Sequence, residues 1–194
     1  MNAYFELLLQ EINYSIKSLD EQAFNQLLNE SISTLQNGGK IVVSGLGKNV
    51  PICDKFVGSM LSLGLAAYFL NTNSAVHGDM GVVKKDDLVI ILTKSGETVE
   101  SIYLTQLLKE REANLWLLTF NTDSTLTREI PKNIVLTLNH EGDMWNIMPN
   151  NSTTLNLIVL QALAMQIAEK LNLQLADFKR NHPGGFIGET LKNV

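Results

Sequence analysis

Apolar residues Phe5, Leu8, Leu9, Ile12, Ile16 and Leu19 recur at helical spacing, and Phe24, Leu27, Leu28, Ile32 and Leu35 repeat the pattern after Asp20, a good N-cap. Two amphipathic helices are therefore predicted over residues 1–37, a helical arm packed on the domain that follows. Gly38-Gly39 stops the second helix. The pattern then changes to short apolar runs, Ile41 to Val43, Ala66 to Leu70, Leu88 to Leu92, Leu115 to Thr119 and Ile134 to Leu138, which read as five buried strands. Helical stretches at about 49–63, 97–111, 123–129 and 152–171 separate or follow them. Strands alternating with helices imply right-handed crossovers and a parallel sheet covered on both faces. The prediction is an α/β domain over residues 38–194, a three-layer α-β-α sandwich on a five-stranded parallel sheet. Near the end, His182-Pro183-Gly184-Gly185 should break any helix and leave a flexible turn.

Composition narrows the function more than the fold. A chain of 194 residues with 45% hydrophobic and 18% charged residues has the size and composition of one globular domain. A net charge of −5 without a Lys/Arg run lacks the footprint of a nucleic-acid or anionic-membrane binder. Cys53 is the only cysteine, which excludes an internal disulfide and fits a reducing compartment. The first ten residues carry no basic patch ahead of their apolar stretch, and no apolar run reaches the ~20 residues of a membrane span. A cytoplasmic protein is expected.

Candidate chemistry lies in the loops after the strands, because an open parallel sheet binds ligands beyond the carboxyl ends of its strands, where helix N-termini offer free N–H groups. Ser44-Gly45-Leu46-Gly47-Lys48 follows the first strand. It is neither a Walker loop, which would need glycine at Val42 and a hydroxyl at Asn49, nor a dinucleotide fingerprint, which would need glycine at Val50. Alone it is equally a tight strand-to-helix turn. Thr93-Lys94-Ser95-Gly96-Glu97-Thr98 follows the third predicted strand and places three hydroxyls where a dianion could be cradled. The competing reading is a helix cap, with Ser95 serving Thr98 or Thr93 serving Gly96. Asn150-Asn151-Ser152-Thr153-Thr154 heads the last long helix, with more polar residues than one cap requires.

Proton-transfer candidates at turns or element ends are Lys48, Glu97, Glu141 and His182. Glu97 could instead serve the dipole of the helix it opens, and Glu141 could be a solvated loop carboxylate. His77-Gly78-Asp79 and His182 raise a metal reading, but no His or Cys pair has a recognised ligand spacing, so no metal and no other cofactor is expected.

From about residue 38 to 191 the chain resembles a SIS domain, the sugar isomerase fold of flavodoxin-like architecture, whose phosphate loop reads [ST]-x-S-G-x-[ST]-x-[ED]. Thr93, Ser95, Gly96, Thr98 and Glu100 match it. Within that family the chain is similar to the arabinose 5-phosphate isomerases, through Gly45 to Lys48, His77 to Asp79, the Ser95-Gly96-Glu97 loop and His182 to Gly185. The resemblance implies isomerisation of D-arabinose 5-phosphate and D-ribulose 5-phosphate through an enediol. It assigns catalytic positions to Lys48, Glu97, Glu141 and His182. Substrate-binding positions fall on Ser44, Gly45, Gly47, His77, Thr93, Ser95, Gly96, Thr98, Ser152 and Thr153. It also implies a homodimer or homotetramer, in which His182 could reach a neighbour's pocket, and a catalytic domain without the C-terminal CBS modules of many members. Lys94 stands where the family usually has a small polar residue, Asn49-Val50 replaces Ser-Gly, and Asn151 replaces a hydroxyl residue. Another phosphosugar, a hexulose or heptulose phosphate, is the alternative substrate. A non-catalytic sugar-phosphate sensor is the alternative class, although the opening helices lack the basic residues of a DNA-binding segment.

Overall fold

The computed structural model describes residues 2–192. Two helices open it, α1 (Ala3–Lys17) and α2 (Glu21–Gln36), the second capped by Asp20, whose carboxylate accepts from the N–H groups of Gln22 and Ala23. Five parallel strands follow: β1 (Ile41–Gly45), β2 (Ala67–Phe69), β3 (Leu88–Leu92), β4 (Asn114–Thr119) and β5 (Asn133–Val135), in the order β2-β1-β3-β4-β5. The helices among and after them are α3 (Val50–Ser62), α4 (Val99–Glu110), α5 (Thr125–Glu129), α6 (Asn151–Lys170), α7 (Leu175–Arg180) and α8 (Gly185–Leu191).

Strand residues alternate between two apolar layers, as the two-residue period of a pleated strand requires. Ile41, Val43, Leu88, Ile90, Leu92, Trp116 and Leu118 face the layer that holds Phe24, Leu27 and Leu28 of α2, Phe56 and Met60 of α3, and Leu155 to Ile167 of α6. Val42, Val89, Ile91 and Leu117 face Leu104 and Leu108 of α4 and Leu126 of α5. The predicted three-layer α/β architecture is thus the observed one, and α2 contributes to the same core as the sheet.

Three local features differ from the expectations. β5 stops at Val135 because its neighbour β4 ends at Thr119; Leu136 donates one last N–H to the Thr119 carbonyl and the chain then runs free of the sheet. On α1 the apolar stripe is only partly used: Ile12 and Ile16 pack on the core while Phe5 and Leu9 stay exposed. The His182 to Gly185 segment is the expected turn, but it joins two helices, α7 and α8, that the pattern did not predict. Gly185, at φ +70°, starts α8, where a Cβ at Gly188 would lie 2.8 Å from the His182 carbonyl oxygen, too close for a side chain.

Candidate active site

In this strand order β1 has its successor β2 on one side and β3 on the other, so the loops leaving β1 and β3 diverge and open a crevice. A cavity of about 390 Å³ occupies it. Leu46, Gly47, Lys48 and Asn49 line it from the β1 loop, Thr93, Lys94, Ser95 and Thr98 from the β3 loop, and Pro149, Ser152, Thr153 and Asn156 from the start of α6.

The β3 loop divides its polar groups between holding its own shape and facing the cavity. Thr93 Oγ1 accepts from the Gly96 N–H at 3.2 Å, and Ser95 Oγ accepts from the Glu97 N–H at 3.2 Å. Thr98 is the N-cap residue of α4, yet its hydroxyl makes no capping hydrogen bond and lines the cavity. Capping alone therefore does not account for the loop. Gly96 has φ +69°, and a Cβ there would lie 2.1 Å from Ser124 Oγ, so glycine is required for the loop to close against α5.

Glu141 is the most constrained charged group near the cavity. Its side chain is fully buried. Oε2 accepts from the N–H groups of Asn150 and Ser152, each at 3.0 Å, at the N-terminus of α6. Oε1 has the Lys94 ammonium 2.6 Å away as an ion pair and no hydrogen bond of its own. Burial pushes this carboxyl up, but Lys94 and the Ser152 and Asn150 N–H groups outweigh it and hold the pKa below the ordinary glutamate value. The solvated-loop alternative does not hold, since the whole 139–151 segment is knitted together. Asn146 Oδ1 accepts from the Glu141 N–H, Asn150 Nδ2 donates to the Glu141 carbonyl, Asn151 Nδ2 donates to the His140 carbonyl, and the Tyr4 hydroxyl of α1 donates to the Gly142 carbonyl.

The structure gathers Lys48, Gly47, Thr93, Ser95, Thr98, Ser152 and Thr153 around one cavity, with Glu141 directly behind Lys94 and Ser152. Other predicted positions lie elsewhere in the same chain. Ser44 is buried, donating to the Leu70 carbonyl at 2.7 Å and meeting Thr72 Oγ1 at 2.9 Å, so it joins β1 to the strand beside it. Gly45 is needed for packing, because a Cβ would sit 2.8 Å from that of Asn49. Gly96 shapes the loop from behind. Glu97 points away from the cavity and accepts from the Thr125 N–H at 2.7 Å; that bond, with Arg128 nearby, lowers its pKa. It caps α5, a role its place at the start of α4 did not reveal. His77 is exposed on a short turn beyond β2. His182 stacks on Phe178 at the far end of α3, where neighbouring Asn181 donates to the Ser62 carbonyl. Thirteen helical residues separate that end from the cavity, about 20 Å at 1.5 Å per residue.

Residue-by-residue reading missed Ser101 and Asn156. Helical spacing could have found both, since they follow Thr98 by three and Ser152 by four positions and so share a face with them. Asn156 donates to Asn49 Oδ1 at 3.0 Å, while its own Oδ1 is buried without a partner among the described residues.

The SIS domain model matches residues 34–166, more than half of the chain. The arabinose 5-phosphate isomerase KdsD of Pseudomonas aeruginosa is 34% identical over 81% of this chain and 48% of its own length. KpsF of Escherichia coli, also named an arabinose 5-phosphate isomerase, is 31% identical over 90% of this chain and 54% of its own. The chain thus spans about half the length of these curated relatives. An Escherichia coli CFT073 protein solved in complex with arabinose 5-phosphate superposes with a TM-score of 0.85 at 30% identity, covering 93% of this chain and 94% of that one. Since the family model covers more than half of the chain and these relatives align over most of it, the chain belongs to the SIS domain family.

Proposed function

We propose that this chain is an aldose–ketose isomerase that interconverts D-arabinose 5-phosphate and D-ribulose 5-phosphate. The observation that carries the reading is the pairing of a hydroxyl-lined, helix-headed cavity with a fully buried carboxylate behind its Lys94 and Ser152 wall, Glu141. The hydroxyls of Ser95, Thr98, Ser152 and Thr153, the N–H groups at the start of α4, and the Lys48 and Lys94 ammonium groups suit a phosphate monoester dianion. The similarity to relatives named arabinose 5-phosphate isomerases supports the choice of sugar.

In the proposed reaction the open-chain aldose binds with its phosphate in the β3 loop. Glu141 removes the proton from C2, the carbonyl oxygen at C1 gains a proton, and a cis-enediol forms. The protonated Glu141 then returns the proton to C1 while the C2 hydroxyl loses its own, leaving the ketose. Lys48 steadies the oxygen that carries negative charge in between. His182 lies too far from the cavity of its own chain to take part, so its contribution to ring opening or oxygen protonation requires a second copy. Exposed Tyr4, Phe5, Leu7 and Leu9 on α1 support assembly into a homodimer or homotetramer. The single buried cysteine suits a cytoplasmic enzyme; none of the described helices is long and apolar enough to cross a membrane.

Incubation with arabinose 5-phosphate in deuterated water tests the reading. Ribulose 5-phosphate carrying deuterium at C1 is expected. Absence of both turnover and label overturns the assigned substrate, and an equal rate on a hexulose phosphate would transfer the assignment to that sugar.

A further inference from the structure

Four buried side-chain oxygens lack a hydrogen bond among the described residues, and two of them, Glu141 Oε1 and Asn156 Oδ1, adjoin the cavity. Glu141 is the more consequential. It is fully buried and does not itself line the cavity; the Lys94 side chain, 45% exposed, stands between Oε1 and the open space. With the ammonium 2.6 Å from it, Oε1 faces a cation on its cavity side and is a poorer proton acceptor. Oε2 is no substitute, because two N–H groups already hold it.

The same lysine belongs to the loop whose Ser95 and Thr98 line the cavity. Its four-carbon stem lets the ammonium move while the backbone stays in place. Coulomb attraction scales with the product of the charges, so at equal distance a phosphate dianion outcompetes a single carboxylate for it.

Resting on the isomerase reading, we propose that Lys94 is a phosphate-drawn latch on Glu141: a phosphate dianion bound in the β3 loop takes the ammonium from Oε1, uncovering the carboxylate and freeing it to accept a proton. Lys94 is thus a positioning residue acting through Glu141. It withholds the base until a phosphorylated ligand is in place. The other charged or titratable groups around Glu141 do not offer this exchange. His140 Nδ1 accepts from the Gly142 N–H, Asp143 accepts from Trp145 and Ile147, Glu11 of α1 accepts from Asn139 and His140, and the Tyr4 hydroxyl is held by the Gly142 carbonyl.

The test follows the ionisation of Glu141 directly. Protein labelled with 13C at glutamate carboxyl carbons is titrated with and without saturating sulfate, a tetrahedral anion that, unlike inorganic phosphate, stays a dianion throughout the carboxylate range, and the Glu141 resonance is assigned by its loss in Glu141→Gln. In the wild-type chain sulfate should raise the Glu141 titration midpoint by about one pH unit or more, the size expected when a neighbouring cation leaves. Lys94→Met should titrate at the raised midpoint without sulfate and respond weakly to it, and Lys94→Arg should restore the response. An equal sulfate-induced shift in Lys94→Met would attribute the effect to the field of the anion and overturn the latch, as would a wild-type midpoint that sulfate leaves unmoved. Because this readout needs no turnover, failure of the latch and failure of the isomerase assignment give different results.

Discussion

The two ends of the sheet both pair lysines with carboxylates, and they differ in how completely those carboxylates are used. At the amino end, Glu30 Oε2 accepts from Asn114 Nδ2, Trp116 Nε1 and Lys132 Nζ, each at 2.9 Å, while Oε1 accepts from Gln26. Asp87 likewise accepts from the Lys40 and Lys84 N–H groups and from the Lys40 ammonium. Every oxygen there is satisfied, and the pairs tie α2 to β4 and join the starts of β1 and β3. At the carboxyl end, Glu141 keeps one oxygen whose sole partner is a movable ammonium. A saturated carboxylate stabilises the fold; one with spare capacity can accept a proton.

The sharpest way to break this contrast is to exchange the outcomes of two isosteric substitutions. Glu141→Gln should lower kcat by roughly 10²–10⁴, the usual contribution of a general base. Its amide oxygen can still accept the Asn150 and Ser152 N–H groups but the Lys94 ion pair is lost, so the thermal midpoint should fall only modestly beside the loss of activity. An assay of Glu141→Gln at the wild-type rate would remove Glu141 as the base.

Glu30→Gln should do the reverse. It keeps the size of the side chain but loses the Lys132 ion pair and turns an acceptor toward donors with an amide that is partly a donor itself, a change of about 1–3 kcal/mol. Lower denaturant stability with unchanged kcat/KM is expected.

Acid titration of the fold refines the comparison. Burial raises the Glu30 carboxyl, yet its hydrogen bonds to Asn114, Gln26 and Trp116 and its contact with Lys132 bring the pKa down to about 2, below the usual 4.5. A depressed carboxylate contributes stability that is complete above the unfolded value and is lost as pH falls toward the folded one. Wild type should therefore lose stability between about pH 5 and pH 2, and Glu30→Gln should show a shallower loss over that window, measured by urea unfolding at each pH. The smallest effect belongs to Lys85→Ala. Its partner Glu112 is as exposed as Lys85 itself, and solvent screens such a pair, so neither stability nor activity should change measurably.

Much of the fold was legible because apolar periodicity is a local property. A run such as Leu88 to Leu92 must be buried on both faces wherever it lies, and that requirement alone implies a sheet covered by helices. The polar loop after β3 was legible for a related reason: Thr93 to Thr98 are contiguous, so one strand-to-helix turn sets their mutual geometry. The ends of β5 and the second face of α1 were not legible, since they depend on where a neighbouring strand stops and on which apolar residues find a partner.

By itself, then, the sequence determined the layer architecture, the polar loops at the strand ends and the residue types able to hold a phosphate. Only tertiary structure decided which candidates share a cavity. It turned Glu97 to the N-terminus of α5, buried Ser44 between strands, and carried His182 to the far end of α3. It also set Lys94 against Glu141, residues 47 positions apart in the chain. No local period records that pairing, because it exists only where the loop leaving β3 meets the start of α6 across the crevice.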